Sequence, residues 1–176
     1  MGELTNNNEA AGTLKDAGRK SALFAVIVLA WVGLDFATKQ FFKGATVGQR
    51  FLDQPLLGLF DFRLVHNTGG AWGIFSGSTF ELGIFSLVVC ALIAGYFFYT
   101  RHEASWVTTI ALALVVAGGI GNAIDRFAQG YVIDFIEFTF IDFPVFNVAD
   151  IGVTCGFALF LLGFVIEWIC DRKAES

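Results

Sequence analysis

Charge is scarce in this sequence. Asp, Glu, Lys and Arg make up 15% of its 176 residues, against 56% apolar ones. With a mean hydropathy of +0.68, that balance excludes an ordinary soluble domain. The net charge is −5 and the pI near 4.9, so the basic footprint that a nucleic-acid partner needs is missing. Only two prolines occur, against 21 Phe and 4 Trp, a balance that suits long uninterrupted helices with aromatic ends near lipid head groups. The three cysteines, Cys90, Cys155 and Cys170, all lie in apolar stretches and lack the paired spacing of a disulfide framework or a metal site. They read as three small core residues. Neither His66 nor His102 has a ligand partner at useful spacing, so no metal and no cofactor is implied.

Residues 1–20 are polar and of mixed charge, with Asn6, Asn7 and Asn8 in a row, and read as a disordered cytoplasmic tail. From Ser21 to Leu34 the chain is uncharged for fourteen residues, behind Lys15, Arg19 and Lys20. That pattern suits the core of a secretory signal peptide. No small-x-small site follows, however, and helical spacing continues through Asp35, Thr38 and Lys39. The segment is therefore read as a first spanning helix over 21–40. Leu82–Thr100 and Ala104–Ile124 are charge-free runs of nineteen and twenty-one residues, divided by Arg101-His102-Glu103. Each is long enough to cross a hydrocarbon core of ~30 Å, giving spans over 80–100 and 104–125. A fourth span covers 148–170 and stops at Asp171-Arg172-Lys173, with 171–176 as a short polar tail. Four spans put both termini on one side. With those termini and the 101–103 turn inside, six of the eleven Lys and Arg are cytoplasmic, a slight positive-inside bias.

The outer loops are then 41–79 and 126–147. The first alternates through Leu59-Phe60-Asp61-Phe62-Arg63-Leu64, and the second from Ile136 to Phe140. Both segments are too apolar to lie free in water. The fold expected is an all-α membrane protein: four transmembrane helices with a small extracytoplasmic β-sheet on the membrane surface. No internal repeat or separate soluble domain is visible.

Polar groups near bilayer depth are costly, and in such a chain they point to function. Four clusters stand out, all at the predicted outer helix ends. In Asp35-Phe36-Ala37-Thr38-Lys39 the acid and the lysine are four residues apart and pair along one helix face, either to end the span or to position a substrate. Asn67-Thr68-Gly69-Gly70-Ala71-Trp72-Gly73 has glycines that permit tight turning. In Gly118-Gly119-Ile120-Gly121-Asn122-Ala123-Ile124-Asp125-Arg126 the glycines let helices pack backbone to backbone. Asn122, Asp125 and Arg126 bring polar groups to the point of emergence, where Arg126 either caps the helix or holds the following loop. The fourth cluster comprises Asp134, within Tyr131-Val132-Ile133-Asp134-Phe135, and Asp150, three residues after Asn147. Asn147 suits a helix N-cap and Asp150 the first turn. Taken singly, Asp150 reads as a helix-start acid and Asp134 as a loop acid. Facing one cleft, they make a general acid/base pair. A proton-coupled transporter, an assembly factor and another kind of intramembrane aspartic protease stay open on these residues alone.

In this order the blocks resemble lipoprotein signal peptidase, the type II signal peptidase family of bacteria. The pattern runs Asp-x-x-[Ser/Thr]-Lys at Asp35–Lys39, then Asn-x-Gly at Asn67 and Gly69. It continues as Gly-Asn-x-x-Asp-Arg at Gly121–Arg126, Val-x-Asp-Phe at Val132–Phe135 and Phe-Asn-x-Ala-Asp at Phe146–Asp150. Gly70 and Trp72 depart from it, standing where alanine and phenylalanine are common. The resemblance implies an aspartic endopeptidase of the bacterial cytoplasmic membrane, with its active site near the extracytoplasmic face. Its substrates would be prolipoproteins, cut before a diacylglyceryl-modified cysteine, and its partners otherwise membrane lipids. It assigns the catalytic pair to Asp134 and Asp150. Asn67, Asn122 and Asn147 are then expected to bond substrate backbone or the tetrahedral intermediate, and Asp125 and Arg126 to position the site. Asp150, at a helix N-terminus, is expected to hold the charge of the pair, and Asp134 its proton.

Overall fold

The computed structural model describes residues 2–70 and 74–174. Its elements run α1 (Gly2–Phe42), β1 (Phe60–Asn67), α2 (Thr79–Thr100), α3 (Trp106–Gln129), β2 (Val132–Phe138) and α4 (Val148–Ala174). Four of these helices are long and apolar enough to cross a bilayer. Outside the polar site their apolar side chains face outward, Leu29, Phe85, Leu92, Phe157 and Phe164 among them, as a lipid solvent allows.

Helix α3 is the axis of the bundle and packs against α1, α2 and α4. Small residues make this close. A Cβ on Gly118 would collide with the carbonyl oxygen of Ala149 and with Val153, and one on Gly156 would lie 2.6 Å from the carbonyl oxygen of Ala111. The glycines therefore let α3 and α4 approach backbone to backbone, as their spacing predicts. On the other flank, Phe24, Cys90, Phe97, Leu112 and Val116 form the apolar seam between α1, α2 and α3. Ser105 caps α3 by accepting from the Thr108 N–H at 3.1 Å. The helix closes on Gly130 at φ 76°, whose N–H reaches the Arg126 carbonyl.

The two strands pair antiparallel, Phe60 opposite Phe138 and Asn67 opposite Val132, with a shift in pairing between Phe62 and Val65. Their apolar side packs on the C-terminal end of α1, where Phe42 stacks on Phe135 at 4.2 Å and meets Phe51 edge-on at 4.8 Å.

Four expectations are corrected. The polar residues before the first span continue it as helix instead of a disordered tail, since α1 begins at Gly2. Glu, Ala, Leu and Lys outweigh the Asn run there. Helix α3 starts at Trp106, behind its Ser105 cap, and runs to Gln129, so Asp125 and Arg126 belong to its last turns. The second strand begins at Val132, four residues before the alternating segment, and so Asp134 sits in a strand and not in a loop. The cysteine reading holds for Cys90, which is buried, and fails for Cys155, which is exposed. The Cys170 side chain lies outside what the structure describes.

Candidate active site

The polar blocks converge where α1, α3, β2 and α4 meet. Asn147 is completely buried and sits at their centre. As the N-cap of α4, its side-chain oxygen accepts the Asp150 N–H at 3.0 Å, while its own N–H donates to Asp150 Oδ2 at 3.1 Å. The Asn147 amide nitrogen donates to Asp134 Oδ1 at 2.7 Å. One side chain thus ties both acids together. Asp134 also accepts from Asn67 Nδ2 at 3.0 Å, and Asp150 from Asn122 Nδ2 at 2.8 Å.

Behind the two acids lies a buried charge cluster. The Lys39 ammonium is 1% exposed and meets Asp35 at 2.8 Å, Asp125 at 3.0 Å and Asn122 Oδ1 at 3.0 Å. The anticipated pairing of Asp35 with Lys39 is therefore present, with Asp125 as a second anion. Asp35 in turn accepts the Ala149 N–H at the start of α4, at 2.9 Å. This arrangement needs a glycine at 121, where a Cβ would lie 2.6 Å from Asp35 Oδ2. Asp125 accepts the Ile133 N–H at 3.1 Å, joining α3 to β2. The one buried cation meets both carboxylates, and each carboxylate also accepts a backbone N–H, so no member of the cluster is buried without a partner, which in a low-dielectric site would cost several kcal/mol.

Asp134 and Asp150 line one cavity of about 540 Å³, together with Asn67, Asn122 and Arg126. Burial first, and the neighbouring Asp150 charge second, push the Asp134 carboxyl up to about 7. Arg126 reaches back to the Gly69 carbonyl at 3.2 Å, so it holds the preceding loop and not the following one. Gly69 is also held locally, its N–H donating to Asn67 Oδ1 at 2.9 Å. Residues Ala71, Trp72 and Gly73 of the same block lie outside the described residues.

The three asparagine amides bond to the carboxylates, and Asn67 and Asn122 also line the cavity in which they were expected to meet substrate. Buried acids need such donors before any substrate arrives. Sequence reasoning missed the cavity's walls. Phe143, Pro144, Val145 and Phe146 form one side, and Ser86, Gly119 and Cys155 lie deeper along the helices. The signal for the first was present in an outer loop too apolar for water. For Cys155 there was none, since which side of a lipid-facing helix turns to a cavity is settled by packing.

Four bilayer-length helices and a pair of carboxylates at one cavity define a class: aspartic peptidases of the membrane. The signal peptidase (SPase) II family model matches residues 27–166, and the chain belongs to that family. Lipoprotein signal peptidases are among its relatives. That of Shouchella clausii is 39% identical over 152 residues, covering 85% of this chain and 97% of the relative. That of Microcystis aeruginosa is 35% identical over 148 residues, covering 82% and 92%. A solved bacterial membrane enzyme, determined in meso at 2.3 Å resolution, superposes with a TM-score of 0.74 at 29% identity, covering 88% of this chain and 92% of that one.

Proposed function

We propose that Asp134 and Asp150 are the catalytic pair of this signal peptidase and hold between them the water that attacks the scissile carbonyl. The carrying observation is that both acids line one cavity and are tied through Asn147. As a member of its family the chain is an aspartic endopeptidase that removes signal peptides from prolipoproteins. The finer reading is that it cuts before a lipid-modified cysteine.

In the working state the pair carries one proton. Asp150, at the N-terminus of α4, holds the negative charge and takes a proton from the water. Asp134 keeps the shared proton and passes it to the carbonyl oxygen as the tetrahedral intermediate forms. Collapse of that intermediate returns a proton to the departing amine. Besides burial, the neighbouring Asp150 charge is one of the causes that raise the Asp134 carboxyl to about 7, which fits this division. The sign follows directly: the singly protonated pair exists below that value and is lost above it. Cleavage measured as kcat/KM should therefore fall as pH rises through about 7. A site-resolved infrared titration that found Asp134 to be the lower-titrating acid of the two would reverse the roles.

A substrate cysteine carrying two acyl chains stays in the bilayer, so the enzyme receives it sideways from lipid. We place the sheet and the cavity on the extracytoplasmic side and both termini in the cytoplasm. The test is a gel-shift assay in detergent that offers the same precursor with and without its diacylglyceryl group. The modified form should be cut at least about tenfold faster, because its acyl chains concentrate it at the enzyme. Equal rates would show that the lipid is not read.

A further inference from the structure

We infer that Lys39 is a positioning residue for the dyad: it touches no substrate, but fixes the polarity of the Asn122 amide so that it donates to Asp150, and through Asn122 braces the Asn147 amide that donates to Asp134. This rests on the assignment of Asp134 and Asp150 as the catalytic pair.

The argument is one of donors and acceptors. An ammonium has three hydrogens and no acceptor. Here the three are directed at Asp35 Oδ2, Asp125 Oδ2 and Asn122 Oδ1, at 2.8, 3.0 and 3.0 Å. Only an oxygen can meet the third hydrogen, so the Asn122 amide must present Oδ1 to Lys39. Its Nδ2 is thereby turned to Asp150 Oδ1, at 2.8 Å. Asn122 Oδ1 has a second lone pair, which takes the Asn147 amide at 3.0 Å. Asn147 presents its nitrogen on that side, as the Asp150 N–H on its oxygen and the Ile133 carbonyl on its nitrogen also require, and the same nitrogen reaches Asp134 Oδ1 at 2.7 Å. Reversing either amide would set donor against donor at one end and oxygen against carboxylate at the other. One cation thus sets the direction of the Asn122 amide, and through it joins the Asp150 N–H and the Ile133 carbonyl in holding that of Asn147, each amide delivering a hydrogen bond to a different acid.

Neutral donors suit a pair that must change its protonation during the reaction. A cation in direct contact would hold an acid ionised, whereas an amide supports the charge without pinning it. The groups facing the dyad are few. Asp35 comes from α1 with Lys39, Asp125 and Arg126 come from α3, and the acids themselves come from β2 and α4. Asp35 and Asp125 hold the Lys39 ammonium in place and offset part of its field at the dyad.

The test compares Lys39→Met, Lys39→Arg and Asp35→Asn with the parent on a diacylglyceryl-modified precursor, with thermal unfolding followed in parallel and Asp134→Asn as the inactive reference. Lys39→Met keeps most of the length of the side chain and removes its charge. We expect kcat to fall about a hundredfold with KM changed less than about twofold, as for a group acting on the transition state only. The alkaline limb of the pH profile should move up by about one unit, because amides free to turn no longer favour the ionised acids. Asp35→Asn should move the limb the other way, since it leaves the Lys39 charge less offset. Lys39→Arg, which keeps the charge but cannot place three hydrogens on these acceptors, should recover the limb more fully than kcat. A folded Lys39→Met chain with unchanged kcat, or one slower with its limb unmoved, overturns the proposal and leaves Lys39 a purely structural cation. Where Lys39→Met does not fold, Asp35→Asn decides: a limb that stays or rises overturns it. An inactive parent would instead count against the function itself.

Discussion

Asp134→Asn and Asp150→Asn should each leave a folded chain that cuts its precursor on the order of a thousandfold more slowly, or not at all. Asparagine is nearly isosteric with aspartate, so packing in the cavity is kept. Neither amide can take a proton from water at neutral pH, and neither can carry a proton from one reacting group to another. The two substitutions differ in what else they disturb. At 134, the Asn67 and Asn147 donors, at 3.0 and 2.7 Å, need acceptors, and an amide has only one oxygen to offer them. At 150, the side chain also closes the N-terminal turn of α4 through the Asn147 N–H. Asp150→Asn should therefore lose somewhat more thermal stability, by about 1 kcal/mol. Matched unfolding curves with lost cleavage in both variants would establish the pair. Retention of more than about a tenth of the parent rate by either variant would remove that acid from the chemistry.

Gly118→Ala should be nearly as damaging although it touches neither acid. The added methyl would overlap the Ala149 carbonyl oxygen and crowd Val153 across the α3–α4 seam. These are backbone and β-branched atoms that cannot swing aside, so the helices must separate. Overpacking of this kind costs about 1–3 kcal/mol. The functional cost follows from position. Ala149 lies between the cap at Asn147 and the acid at Asp150, and its N–H is held by Asp35 at 2.9 Å. A shift of α4 would carry Asp150 off Asn122 Nδ2 and away from Asp134. The expected result is a lowered unfolding temperature and a fall of about a hundredfold in kcat/KM, as befits a displaced catalytic group. Gly44→Ala is the matched control, since a Cβ at Gly44 meets nothing within 4 Å. Equal effects from the two would mean that the seam tolerates a methyl.

The candidate site was unusually legible because the solvent is lipid. In a chain with so few charges, an Asp, Asn or Lys at a helix end has to be explained, and the residues so singled out do converge. Asp35, Lys39, Asn122, Asp125 and Asn147 form one buried network, with Asp134 and Asp150 at its surface. What the residue pattern could not show was direction. The asparagines were read as bonding substrate, and the pattern gave no sign that the need to satisfy buried carboxylates also ties their amides to the acids. The start of β2 was hidden for a related reason. Val132, Ile133, Asp134 and Phe135 are all buried, because both faces of the strand are covered there, and the alternation that marks a half-exposed strand is absent. Three of the four helix spans were legible to within a few residues, whereas α1 begins well ahead of its expected start, at Gly2. The exposure of Cys155 was not, since periodicity places a residue on a helix but does not choose which neighbour lies opposite.

The shift in pairing between Phe62 and Val65 has a meaning best expressed as parity. Before it, paired positions add to 198, as with Phe62 and Ile136; after it they add to 199, as with Val65 and Asp134. Side chains alternate along a strand, so a step of one exchanges its two faces. Under the first rule Asp134 would share a face with Leu64 and His66, and Asn67 would point the opposite way. Under the second, Asn67 lies diagonally across from Asp134 and within reach of it. The outer half of the sheet can therefore keep its own pairing while the inner half serves the acids, with one uncounted residue as the adaptor between them. What is constrained in that stretch is a number of residues rather than their kinds. A relative with one residue more or fewer there would have to find another donor for its strand aspartate, however similar its sequence on either side.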